Sequence, residues 1–198
     1  MSGRLIAFEG GEGSGKSTQA RLLAQRIDAV LTFEPGDTAV GRRIREVVLD
    51  PAHAEIDPRT EALLMAADRA QHVAQVVRPA LQAGRHVVTD RYVGSSLVYQ
   101  GLGRGLGVSP VEALSHFATG GLDADLVVLL ELDGEEARRR LDRDLDRLEA
   151  AGDDFHERVR AGFAELARER DWVVIDGRGD IDEVAGRVWS AVGGRLDV

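Results

Sequence analysis

The chain has 198 residues, 43% hydrophobic and 30% charged, which suits one compact domain and excludes a disordered or fibrous protein. Its 34 acidic residues against 25 basic ones give a formal net charge of −9, which argues against a protein that coats duplex nucleic acid and requires any bound phosphate to be held locally. There is no cysteine, hence no disulfide, thiolate metal site or cysteine nucleophile.

The first element is a short apolar run at residues 5–8, which reads as a strand buried on both faces. Directly after it, Gly10-Gly11-Glu12-Gly13-Ser14-Gly15-Lys16-Ser17-Thr18 has the spacing glycine, four residues, glycine, lysine, serine, and opens a helical pattern over 17–28. A strand before and a helix after are the context in which this pattern acts as a P-loop. Its glycines let backbone N–H groups converge on phosphate oxygens, and the helix adds its positive dipole end. Lys16 is then placed to reach the terminal phosphates, and the Ser17 hydroxyl to bind Mg2+. The other reading is an ordinary glycine-rich turn. Lys16 is the single lysine of the chain; the other 24 basic residues are arginine.

Further strands are predicted at 29–33, 86–89, 126–132 and 172–175, and further helices at 38–49, 60–83 and 180–192. Asp57-Pro58 and Ser109-Pro110 each read as a capping side chain followed by proline at the first helical position. Pro79 is expected to kink or end the long middle helix, and Gly84 to stop it. Asp90-Arg91-Tyr92 follows the 86–89 strand, so Asp90 falls at the strand end where ligands collect in open α/β sheets. There it can hold magnesium through water, with Arg91 as a phosphate fork; alone, it reads equally well as an aspartate paired with its neighbour. The run 141–157, dense in Asp, Glu and Arg, reads as an exposed helical excursion. The alternation predicts an α/β fold in which a five-stranded parallel sheet lies between two helical layers, as a single domain over 1–198. No leader-like or membrane-length apolar stretch is present, so the expectation is a cytoplasmic protein without nucleic-acid or membrane partners.

Several segments together resemble the thymidylate kinase family over nearly the whole chain. They are FEGGEGSGKSTQ from Phe8 to Gln19, Glu34-Pro35-Gly36 followed by Thr38, and Asp90-Arg91-Tyr92 with Ser95, Ser96, Tyr99 and Gln100. To these are added Gly103-Arg104-Gly105 and Asp146-Arg147-Leu148-Glu149. The resemblance implies transfer of the ATP γ-phosphoryl to dTMP with Mg2+, in a homodimer, with Lys16, Arg91 and Arg143 as catalytic residues. It implies that Glu12 meets the sugar hydroxyl of dTMP and that Arg69 meets the thymine carbonyl. Arg91 would then bind phosphate, with Ser96, Tyr99 and Gln100 around the nucleoside. Taken alone, Glu12 also reads as a solvated loop carboxylate, Arg69 as a helix-surface ion pair with Asp68, and Tyr99 as a core aromatic.

The P-loop has no arginine between Gly10 and Lys16, and the arginine-rich stretch 138–147 resembles the lid that supplies one in such bacterial enzymes, with a lid segment at about 141–153. Arg143 and Arg147 are the candidates, Arg143 foremost. The chain departs from the family pattern at Phe33, where an arginine is frequent, at Met65, where a phenylalanine stacks on thymine, and at Asp37, where Gly-Gly is common after the proline. A kinase for dUMP or a deoxynucleoside, and a non-catalytic nucleotide-binding switch, remain the rival readings.

Overall fold

Alternate residues of the first strand, β1 (Leu5–Glu9), enter different cores. Ile6 and Phe8 pack with one apolar cluster, Leu5 and Ala7 with another, so the strand is buried on both faces. A computed structural model describes residues 3–140 and 146–196. Among these, five strands form one parallel sheet in the order β2-β3-β1-β4-β5, with β2 at Val30–Phe33, β3 at Val87–Asp90, β4 at Leu126–Glu131 and β5 at Val173–Asp176. Helix α1 (Lys16–Arg26) and the C-terminal helix α9 (Ile181–Leu196) cover the face that carries Phe8, Val128 and Ile175.

The opposite face is covered by α3 (Pro58–His72), which runs through a π-helical turn, Val73–Val77, into α4 (Arg78–Gln82), and by α5 (Val93–Ser96), which continues through a second π-helical stretch, Leu97–Gly103. Around that stretch pack α6 (Val108–Thr119) and α8 (Asp153–Glu169), through Val111, Phe155, Val159 and Phe163. Helix α2 (Ala39–Leu49) lies against α3, and α7 (Gly134–Arg139) follows β4. The arrangement is the α/β/α sandwich expected from the alternation.

Helix punctuation agrees at Asp57-Pro58 and Gly84 and differs at Ser109-Pro110. Asp57 accepts from the Arg59 backbone N–H with Pro58 at the first helical position, and Gly84, at φ +75°, closes the middle helix through a 3.0 Å bond to the Leu81 carbonyl. Pro79 sits in the first turn of α4, directly after the π-helical turn that interrupts the α-helix. Ser109 is not a cap, because α6 begins one residue earlier with Gly107 at its N-terminus and Ser109-Pro110 already inside the first turn. The 141–157 run is not a uniformly exposed excursion: Arg147, Leu148, Glu149 and Phe155 are buried. Leu148 and Phe155 carry apolar surface, and the two charges find partners inside. Residues 141–145, Arg143 among them, lie outside the described residues.

Candidate active site

The loop between β1 and α1 is shaped by glycines where side chains do not fit. A Cβ on Gly10 (φ +142°) would stand 2.5 Å from the Leu130 carbonyl oxygen, and one on Gly13 (φ +73°) 2.3 Å from that of Ala137. Helix α1 starts from Gly15 with no side-chain cap and no acidic residue in its first turn, leaving its N–H groups to an anion. Lys16 is buried, with Nζ 3.3 Å from the Gly11 carbonyl and 3.7 Å from Glu12 Oε2. Burial, and then the neighbouring Arg91 guanidinium, lower its pKa against the pull of Glu12. An open groove runs from residues 13–19 past Arg140 to residues 177–182 and provides space for a nucleotide on the donor side.

On the other side of the loop, a cavity of about 410 Å³ is lined by Glu12, Lys16, Ser17, Arg69, Asp90, Arg91, Ser96, Tyr99 and Gln100 together. Arg91 adopts φ +75°, held because its backbone N–H bonds Phe8 O at 2.9 Å, its carbonyl accepts from Thr89 Oγ1 at 2.8 Å, and the next N–H, of Tyr92, bonds Glu9 at 3.1 Å. The guanidinium therefore points back over the loop, bonding Gly10 O, Ser95 Oγ and Glu12. Burial works most strongly against its charge, but Glu12, Tyr99, Asp90 and Glu9 together outweigh it and the pKa rises. Tyr99 packs its ring edge-on to Phe163 at 6.0 Å, as a core aromatic does, while its hydroxyl stands 3.4 Å from Arg91 Nη2 at the cavity. Burial raises that hydroxyl to about 12, so it stays neutral.

Asp90 ends β3 beside the loop. One carboxylate oxygen accepts from the Ser17 hydroxyl; the other, Oδ1, is buried with no hydrogen-bond partner. A buried carboxylate oxygen without a donor, next to a hydroxyl, fits a hard divalent cation with oxygen ligands.

Arg69 is 3% exposed and is held from four sides. Nε donates to Glu34 at 2.8 Å, Nη1 to Ser96 Oγ at 3.1 Å and Ser115 Oγ at 3.4 Å, and Nη2 to the Tyr92 carbonyl at 3.0 Å. Glu34 also bonds His72, which in turn meets Thr32 at 2.6 Å, so a buried polar chain fixes the fork at the cavity wall.

The sequence model of the family described as Thymidylate kinase matches residues 8–188. A thymidylate kinase of Cutibacterium acnes is 47% identical, with all of both chains covered, and one of Pelotomaculum thermopropionicum is 46% identical, with 89% of this chain and 86% of that one covered. The crystal structure of thymidylate kinase from Ehrlichia chaffeensis superposes with a TM-score of 0.80 at 28% identity, covering 97% of this chain and 99% of that one. The chain belongs to the thymidylate kinase family.

Within this thymidylate kinase fold, the loop residues Glu12 to Thr18 line the groove or the cavity, and Arg69, Asp90, Arg91, Ser96, Tyr99 and Gln100 line the cavity with them. Arg69 pairs with Glu34 rather than with Asp68 or another helix-surface carboxylate. Arg147, expected in the lid, points elsewhere: its Nη2 donates to the fully buried Glu61 at 2.6 Å and its Nε to the Val48 carbonyl at 2.6 Å. Among the described residues of that stretch, Arg140 lines the donor groove. Sequence reading missed Glu34, His72 and Arg45, which lines the cavity and donates to the Pro35 carbonyl at 2.8 Å. Glu34 carried a signal, its place in the Glu34-Pro35-Gly36 motif directly after a predicted strand; Arg45 carried none among 24 arginines.

Proposed function

We propose that the protein catalyses transfer of the γ-phosphoryl group of ATP to dTMP, giving dTDP and ADP. The observation that carries this reading is the pair of sites on the two sides of one loop. A donor groove and an acceptor cavity both include Glu12, Lys16 and Ser17, so the two phosphates can meet end to end. A phosphate oxygen of dTMP attacks the γ-phosphorus and the bond to the bridging oxygen breaks. The nucleophile is already anionic and no general base is required.

The chain's own groups then position and neutralise. The loop N–H groups and Lys16 hold the donor phosphates, and Arg91 holds the acceptor phosphate beside them. Glu12 takes the sugar hydroxyl, while Arg69, Ser96, Tyr99 and Gln100 hold the nucleoside. Ser17 and Asp90 would hold Mg2+, which when bound would neutralise charge on the donor phosphates. A lid spanning about 141–153, with Arg143 in it, adds a further cation, and the whole of 1–198 acts as one domain. Exposed Val40 and Val47 on α2, Leu63 on α3 and Phe117 on α6 support a homodimer. We assign it to the cytoplasm; among the described residues no helix is long and apolar enough to cross a membrane.

Steady-state rates with ATP and dTMP, dUMP or thymidine test the reading. The expected order of kcat/KM places dTMP first. A preference for thymidine, or tight ATP binding with no transfer to any monophosphate, overturns it.

A further inference from the structure

Glu61 is fully buried on α3 and gathers three donor side chains from two separate parts of the chain. Oε1 accepts from Gln100 Nε2 at 2.8 Å, and Oε2 accepts from Arg147 Nη2 at 2.6 Å. Arg104 lies across both oxygens, with Nη2 3.1 Å from Oε2. Neither Arg104 nor Arg147 lines the donor groove or the acceptor cavity, yet both Gln100 and the segment that carries Arg147 belong to the acceptor cavity, whose walls include Asp146 and Leu148.

The chemistry of a carboxylate settles which way the Gln100 side chain turns. A carboxylate only accepts, so the amide nitrogen must face Glu61 and the amide oxygen is left as the acceptor at the cavity. The segment 146–149 is itself a tight unit: the Asp146 carboxylate accepts from the Leu148 and Glu149 N–H groups at 2.9 Å, and Glu149 accepts in return from the Asp146 N–H at 2.9 Å. Arg147 seats that unit on the end of α2, through its N–H to Leu49 O at 3.0 Å and its Nε to Val48 O, and on α3 through Glu61.

We propose that Glu61 is a positioning residue for the acceptor. It presents the Gln100 amide oxygen to a base that carries an imide N–H, and through Arg147 it holds segment 146–149 against the same cavity. Base reading and the seating of that segment thus depend on one buried carboxylate. The inference rests on the dTMP reading above.

The test is Glu61→Gln, assayed with dTMP and dCMP at a temperature where the variant is folded. A glutamine at 61 offers both donor and acceptor, so the Gln100 amide is free to turn. The kcat/KM ratio of dTMP to dCMP is expected to fall about tenfold, mostly through the KM for dTMP, with the KM for ATP unchanged. Val188→Ala, a core truncation on the far face of the sheet, lowers Tm without moving the ratio and serves as control. An unchanged ratio in Glu61→Gln, or an equal change in Val188→Ala, overturns the proposal. Should Glu61→Gln fail to fold, the wild-type protein offers a direct check. N3-methyl-dTMP, which lacks the imide N–H, is expected to be a poor acceptor, and turnover equal to that of dTMP overturns the proposal. Absence of wild-type activity on dTMP would instead overturn the functional reading itself.

Discussion

Glu12 stands between the two cations nearest the point of transfer, with one oxygen bonded to Arg91 Nη2 and the other 3.7 Å from Lys16 Nζ. In a phosphate cradle a carboxylate is repelled by the incoming substrate unless a donor group comes with it, and the deoxyribose hydroxyl is such a donor. Glu12→Ala is therefore predicted to raise the KM for dTMP about 10–100-fold, the worth of one charge-assisted hydrogen bond. The same substitution is expected to leave the KM for the 3′-deoxy analogue of dTMP nearly unchanged. Equal losses for the two acceptors would assign Glu12 to the phosphates instead.

Lys16 is predicted not to tolerate arginine. Its ammonium is buried beneath the loop carbonyl of Gly11, in a space that a compact point charge fills and a planar guanidinium does not. Lys16→Ala and Lys16→Arg should both lower kcat by at least about a hundredfold, with circular dichroism and Tm close to wild type. A Lys16→Arg variant with most of its activity would contradict this.

Most of the sheet could be read from the chain because the central strands β1, β3 and β4, buried on both faces, need continuous apolar runs, and even the half-exposed edge strands β2 and β5 keep β-branched and apolar residues; the predicted runs match β1 to β5 within a residue or so at each end. The P-loop was legible for a related reason: backbone conformation and phosphate chemistry both act within nine consecutive positions. Arg147 was not legible, because its partner Glu61 lies 86 residues away and nothing local separates a buried arginine from its exposed neighbours. The Glu34–Arg69–His72 chain was hidden in the same way, joining a strand end to a helix across 35 and 38 positions. The missed start of α6 has a different cause: Gly107, at φ +85°, ends the incoming loop before the Ser-Pro pair is reached.

Glu9 gives the fold a pH dependence of definite sign. Burial, opposed by the Ser95 hydroxyl and the Arg91 charge, raises its carboxyl from the ordinary 4.5 to about 7. Between those two values the folded chain binds more protons at Glu9 than the unfolded chain, so the contribution of Glu9 to stability falls as pH rises from 4.5 to about 7 and is level above it. Asp68, raised by burial to about 6, acts in the same direction. Glu9→Gln is predicted to reduce the drop in Tm between pH 5 and pH 8, measured by thermal unfolding. A drop as large as that of wild type would show that Glu9 is not the group responsible.

Glu34 balances a buried guanidinium. Glu34→Gln leaves Arg69 charged, 3% exposed and without its anion, which is expected to cost about 3–5 kcal/mol in urea unfolding, together with a higher KM for dTMP. Stability within about 1 kcal/mol of wild type would mean that Ser96, Ser115 and the Tyr92 carbonyl suffice to hold Arg69.

The central claim is that the donor groove and the acceptor cavity meet at one loop so that phosphate passes directly from ATP to dTMP. The most direct measurement follows the label from γ-33P-ATP in a mixture with dTMP and Mg2+, separating the products by chromatography. The account predicts label in dTDP, one for each ADP formed and abolished in Lys16→Ala. Label released as inorganic phosphate, or retained in ATP while dTMP remains unchanged, would contradict it.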